Sequence, residues 1–429
     1  MNDYLAENKK RIELEYIKRK EKHEELLRKA DILIEKTTDQ DICLSLKFLF
    51  AHMPISDVAN YDLDIFVDFA EHAVQLWKKY GKVRNLPEEI FLNYILFHRV
   101  NDEEIDACRS LFYKTICEEY ADMAEADFAA DAKRILDINW WCAKHVTYHS
   151  TDERTRSAMA VYDSGYGRCG EESVFAVNAF RSLGIPARQV YVPRWAHCDD
   201  NHAWVEIYLN GMWYFLGACE PECILNKGWF NSAASRAMLV HTRWFDAEKP
   251  SGEDLIGTEG TALLLNELSR YANTRRIRVK VLNQDGTIAE AVKVKFSVIN
   301  YAEVFPVAEV ITDEHGKAEI LTGCGTIYME AMRIEQAHAA YAYGLCEPLE
   351  TVEKVLTLRS FTDVKWQNFD MIAPRESADD MVKTDQSQEA VKQKLVLEAS
   401  AARKKLHEKD NIYIYLYFKR IQRSNKVSE

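Results

Sequence analysis

Residues 202–216 constrain the fold more than any other stretch. Ala203, Val205, Ile207 and Leu209 alternate with His202, Trp204, Glu206 and Tyr208. A period of two is the pattern of a strand with one buried face. Asn210-Gly211 follows at once, the strongest two-residue hairpin signal, because both positions tolerate a positive φ. Met212 to Leu216 then reads as the return strand. The two-residue turn sets the register: Tyr208 faces Trp213, Trp204 faces Gly217, and His202 faces Cys219 if the ladder runs that far. His202 points away from the apolar set, with the freedom a general base requires.

Upstream stands Gly165-Tyr166-Gly167-Arg168-Cys169-Gly170-Glu171-Glu172. Its glycines allow a close backbone approach before the cysteine. Its two glutamates suit the first turn of a helix, where the macrodipole favours negative charge. Val174, Phe175, Val177, Ala179 and Phe180 continue an apolar helix. Gly184-Ile185-Pro186 stops it. Gln189 to Val192 reads as a strand and residues 193–201 as a loop. A cysteine therefore opens a helix, and a strand brings a histidine back towards it. A helix N-terminus, a nearby cation and a histidinium partner each lower a thiol pKa. The expected site is a thiolate–imidazolium pair performing acyl transfer. Cys169 attacks an amide carbonyl, His202 protonates the leaving amine, and water or a second amine resolves the thioester. The competing reading is an inert buried thiol and an ordinary histidine. Trp140 and Trp141 precede the cysteine; adjacent tryptophans usually pack, but one indole N–H can also serve an oxyanion.

With 429 residues, two to four domains are expected. Residues 1–144 carry helical patterns, interrupted at Thr37-Thr38-Asp39. Residues 145–250 hold the α/β unit, ending in a polar linker around Glu248 to Gly260. Residues 276–358 show short β-like runs punctuated by turn residues, as in an antiparallel sandwich. Residues 360–429 form a charged extension, with a helix over Glu389 to His407 and a β-branched, aromatic run from Ile412 to Phe418 that suits an edge strand. The net charge is −13, which disfavours a nucleic-acid partner. Neither an export signal nor a membrane span is expected. The 10 cysteines therefore read as reduced thiols in a cytoplasmic protein. Cys198, Cys219 and Cys223 lack a second pair at ligand spacing, so neither metal nor cofactor is expected.

Three motifs resemble the transglutaminase-like superfamily, which includes transglutaminases, peptide N-glycanases and bacterial cysteine proteases. They are Gly167-Arg168-Cys169-Gly170-Glu171, Gly184-Ile185-Pro186-Ala187-Arg188, and His202-Ala203-Trp204-Val205-Glu206 with Gly211-x-Trp213. The resemblance implies an α+β chain: a papain-like transglutaminase core, here with a helical N-terminal region and a C-terminal all-β sandwich of Ig-like or regulatory-like type, as in a multidomain bacterial member. It implies a Cys-His-Asp triad with Cys169 as nucleophile and His202 as base, and it favours Trp141 or Trp140 as oxyanion donor. The family places the third residue four positions after the return-strand tryptophan. That position is Gly217, which cannot orient an imidazole. Glu220 is the preferred substitute, through a bulge after Gly217-Ala218; Cys219, Asp199 and Asp200 are further candidates. The expected activity is that of a cysteine-dependent peptidase or amidase on a peptide or protein, glycosylated or not. A protein-glutamine transamidase and a non-catalytic binding module are the rivals. Trp195, Tyr191, Trp204 and Tyr208 are candidates to line the cleft or to pack in the core.

Overall fold

The first third is helical because its apolar residues recur at helical spacing between capping signals. The structure is a computed structural model. It describes residues 4–152, 154–335, 338–346, 353–360, 370–377 and 384–425. Helices α1 (Lys9–Lys22), α2 (Glu24–Lys36), α3 (Gln40–His52), α4 (Ile55–Asn60) and α5 (Asp64–Lys79) are followed by the short α6 (Gly81–Arg84) and α7 (Glu88–Phe91). Then come α8 (Arg109–Glu119) and α9 (Ala132–His145). The interruption at residues 37–39 is an N-cap: Asp39 accepts the backbone N–H of Asp41 at 2.9 Å. The pattern from Glu103 becomes helical only at Arg109. The Glu103 carboxylate instead turns back onto the N–H groups of Val100 and Asn101, both at 2.7 Å.

The α/β unit runs β1 (Thr147–Tyr148), α10 (Ala158–Ser164), β2 (Tyr166–Gly167), α11 (Cys169–Ser182), β3 (Ala187–Val192), β4 (His202–Leu209), β5 (Met212–Leu216), α12 (Asn231–Ala234), β6 (His241–Trp244), β7 (Leu255–Glu259) and β8 (Ala262–Asn266). The large sheet has the order β5-β4-β3-β6-β8-β7. The stretch expected as a linker thus contains β7, which closes the sheet by pairing with β8. Val205 and Ile207 bury against α11, in one apolar core that reaches back to Tyr4 and Ile12. The helical third and the sheet are therefore packed around a shared interior. Gly184 ends α11 with φ +68°, and a Cβ there would meet Val83 at 2.6 Å; only glycine fits both demands.

Strands β9 (Thr274–Leu282), β10 (Lys293–Asn300), β11 (Glu303–Ile311), β12 (Lys317–Gly323), β13 (Ile327–Glu335), β14 (His338–Cys346), β15 (Glu353–Thr357) and β16 (Arg359–Ser360) form a second unit. Its sheets, β11-β10-β13-β14-β16 and β12-β9-β15, enclose a separate core that includes Ile277, Val294, Phe296, Ile320 and Met329. The long α13 (Gln386–Asn425) closes the described chain. It contains the expected charged helix, and it also takes in Ile412 to Phe418. The edge strand expected there is helix instead: β propensity is a weak local preference that longer-range context overrides.

Candidate active site

The first turn of α11 is built by Glu171. This fully buried carboxylate accepts the backbone N–H of Arg168 at 2.9 Å, Nε of Arg156 at 2.8 Å and the Thr151 hydroxyl at 2.7 Å. It thereby pins residues 151–156 to the helix head. Gly167 must be glycine for the same reason, since a Cβ would stand 2.9 Å from Cβ of Glu171. From β3, Gln189 donates to the Gly170 carbonyl at 3.0 Å and ties the helix start to the sheet.

Cys169 is part-buried at this helix start. The backbone N–H groups of Ala203 and Gly170 lie near enough to its sulfur to favour the thiolate. Burial raises the thiol above its ordinary pKa, and Glu172 adds to this; the two N–H groups and Arg168 only partly offset it. His202 is the residue next to Ala203 and the first of β4, and its ring projects from the face of the strand that also carries Trp204 and Glu206. The ring lies 4.8 Å from Trp229 and 4.9 Å from Phe230, centroid to centroid. Burial lowers its pKa to about 4, and its Nε2 is buried without a hydrogen-bond partner. The resting pair is therefore uncharged. The expected thiolate–imidazolium state is not what this environment favours, because desolvation dominates at both groups.

The hairpin has the expected register, with Tyr208 opposite Trp213, and Asn210 and Gly211 take φ of 51° and 84°. The ladder ends at Val205 opposite Leu216, short of His202. The cause is a turn over residues 217–220. Asn139 on α9 donates to the carbonyls of Gly217 and Glu220, both at 2.9 Å, and accepts the Cys219 N–H at 3.0 Å. Cys219 sits at φ +59°, with its thiol against Cys142 and the Glu172 carbonyl. It does not face His202.

The turn carries Glu220 back over Gly217. A Cβ built on Gly217 would stand 2.9 Å from both Cβ and Cδ of Glu220 and would overlap its Oε2. The Glu220 carboxyl thus occupies the space into which an acidic side chain at 217 would project. It accepts the Trp229 indole N–H at 2.8 Å, on the ring that also packs against His202. Burial pushes Glu220 up to about 7, with Glu222 adding to the rise. Asn139 was not singled out in the sequence; an asparagine beside two tryptophans gives no signal until the turn that it holds is seen.

Other expected residues lie elsewhere. Trp141 is buried, 5.7 Å from Phe175, 5.9 Å from Phe112 and 4.3 Å from His145. That aromatic cluster makes it a core residue. Trp140 lies near Lys144. Asp199 accepts the Tyr301 N–H at 2.7 Å, fastening the loop before His202 to the second unit. Asn300 reinforces this by donating to the carbonyls of Trp195 and Cys198 at 2.9 and 2.8 Å. Arg188 and Glu206 form a buried cross-strand ion pair at 2.6 Å that Arg270 and Tyr271 extend. Among the described residues, Glu15, His52 and Asp246 converge as possible metal ligands. The Arg11 guanidinium already engages Asp246 at 2.6 and 2.8 Å and Glu15 at 3.0 Å, so the group reads as an ion-pair network.

Residues 114–218 match the model of the transglutaminase-like superfamily. This segment is a transglutaminase-like domain. It includes Cys169, His202 and Gly217 and stops just short of Glu220. Among solved structures, a protein from Cytophaga hutchinsonii with a provisional cysteine-protease description is 17% identical, covering 44% of this chain and 66% of its own, with a TM-score of 0.26. Red sea bream transglutaminase is 10% identical, covering 59% and 58%, with a TM-score of 0.24. A streptococcal ancillary pilin is 9% identical, covering 40% and 61%, with a TM-score of 0.19. The matched parts thus span about two thirds or less of those chains. No curated protein matches the chain. Among the described residues, no helix is long and apolar enough to cross a membrane.

Proposed function

We propose that the chain is a cysteine-dependent amide hydrolase, a peptidase or amidase acting on a peptide or protein substrate. The observation that carries this reading is a cysteine at the head of α11, near the backbone of Ala203 and thus one residue along the chain from an imidazole whose Nε2 is buried and unpartnered. On attack, the thiol proton passes to His202, the sulfur–carbon bond forms, and the carbonyl electron pair moves onto oxygen. Collapse breaks the carbon–nitrogen bond, and His202 returns the proton to the leaving amine. Water then attacks the thioester, with His202 as base, and the free thiol is restored. Glu220, placed over Gly217, orients the base through the Trp229 ring. Starting from a neutral pair, His202 acts as a true general base rather than as one half of a standing ion pair.

The two-sheet unit, which we read as an Ig-like or regulatory-like sandwich, serves as the brace for the loop before His202 through Asn300. The described cysteines are free thiols, which fits a reducing, cytoplasmic setting. The burial of both reacting groups also favours one other reading, a binding module that has kept the scaffold. Hydrolysis of a peptide library by the wild type, lost in Cys169→Ala and His202→Ala, is the expected result. A full library left intact by the wild type supports the binding module. Incorporation of a labelled primary amine into a glutamine peptide without cleavage would instead identify a transamidase.

A further inference from the structure

Trp141 packs in the core, and the developing oxyanion of this reaction can take a further side-chain donor. Tyr191 stands where such a donor is needed. It is directly opposite Ala203 in the β3–β4 ladder, and Ala203 is the β4 residue whose backbone lies near the Cys169 sulfur. Directly paired residues project from the same face of a sheet. That face is the α11 face, because Gln189, two residues earlier on β3, reaches the Gly170 carbonyl at 3.0 Å. A charge on the Cys169 sulfur would be felt at the Tyr191 phenol. The ring is steadied edge-on by His241, at 5.5 Å, and among the described residues its hydroxyl has no hydrogen-bond partner.

We propose that Tyr191 is a catalytic residue whose hydroxyl donates a hydrogen bond to the oxyanion formed when Cys169 attacks an amide carbonyl. The inference rests on the hydrolase reading above. The phenol keeps its proton throughout: the oxygen gains negative charge from the carbonyl electron pair, and the O–H only donates to it. Burial raises the pKa of Tyr191, so the group stays protonated at neutral pH. Arg194, Arg243 and Arg168 lie within electrostatic reach of the same phenol and favour negative charge there. Tyr148 also lies near the sulfur, but it is 63% exposed and sits in a two-residue strand. Preorganisation is what gives an oxyanion donor its effect, and Tyr191 lies inside the six-stranded sheet, paired with Ala203 on one side and His241 on the other.

The test is Tyr191→Phe, which keeps the packing on His241. For a peptide substrate, kcat falls about 100-fold with KM unchanged, the loss expected when one oxyanion donor is removed. The rate of Cys169 alkylation by iodoacetamide stays at the wild-type value, since that reaction forms no oxyanion. Tyr148→Phe changes kcat less than threefold. A second measurement does not depend on turnover. N-acetylglycinal adds to Cys169 as a hemithioacetal, in which the sulfur–carbon bond forms and the thiol proton moves to the former carbonyl oxygen. Tyr191→Phe should bind this aldehyde about 10-fold more weakly than the wild type, and Cys169→Ala should not bind it at all. Equal aldehyde affinity in wild type and Tyr191→Phe, or no adduct in the wild type, overturns the assignment. An intact adduct with the 10-fold difference, but no amide cleavage, keeps Tyr191 in place and overturns the hydrolase reading alone.

Discussion

His202 and Glu206 lie four residues apart on one strand and one face, both buried, yet they are treated in opposite ways. Glu206 is saturated: Arg188, Arg270 and the Tyr271 hydroxyl all contact its carboxylate at 2.6 to 2.8 Å. His202 keeps one imidazole nitrogen without a partner. A buried polar atom left unpaired costs stability, and a fold tolerates such a cost mainly where the group is needed for something else. The two ends of β4 thus separate a polar group that serves the scaffold from one that is held in reserve.

The largest expected effect breaks the comparison at its reserved end. His202→Ala should lower the hydrolysis rate by at least about 1000-fold, while urea unfolding shows stability equal to or above that of the wild type. A large loss of stability would show that the ring is structural. The saturated end should respond in reverse. Glu206→Leu leaves Arg188 with Glu267 as its remaining carboxylate partner and should cost about 3 kcal/mol in the same urea experiment, the lower end for breaking a buried ion pair.

Next in size is the turn between these two fates. Glu220→Gln keeps the shape over Gly217 but removes the charge; a 10- to 100-fold fall in kcat is on the order expected for an orienting group. Asn139→Ala should share that kinetic loss, because it frees the turn that presents Glu220. Unchanged kcat in both variants would reduce the turn to a structural element.

The smallest effects are read by pH. Burial raises the Cys169 thiol, so its alkylation rate should climb only above the ordinary thiol range near 8.5. A rate already at its plateau at pH 6 would reveal the ion pair that the neutral site excludes. His202 has a folded pKa of about 4, against about 6.5 unfolded. The unfolded chain therefore binds more protons between those values, and stability falls as pH drops from about 6.5 to 4. His202→Phe should remove up to about 1.4 kcal/mol per pH unit from that slope; an unchanged slope would mean that the ring is already protonated in the folded chain.

Much of the local structure around the candidate site was legible in the sequence because its signals are local. Gly184 with Pro186 ends a helix, Asn210-Gly211 makes a hairpin, and alternation assigns the faces of β4. The placement of Glu220 was legible only as a preference, since a bulge after Gly217-Ala218 is permitted by small residues but not required by them. What fixes the turn is Asn139, 81 positions away. The tryptophans were ambiguous for a related reason: an indole looks the same in a sequence whether it faces solvent or, as Trp141 does, Phe175. The strand expected at Ile412 to Phe418 and the linker expected at Glu248 to Gly260 failed because pairing partners, not propensity, decide such stretches.

By itself, then, the sequence determined the helix that begins at Cys169, the strand that begins at His202, and the motif set that marks a transglutaminase-like domain. Only the tertiary structure decided which acid fills the space above Gly217 and that burial pushes the thiol up and the imidazole down. Those outcomes depend on burial and on contacts between distant segments, and desolvation is a property of the packed surroundings that no run of neighbouring residues encodes.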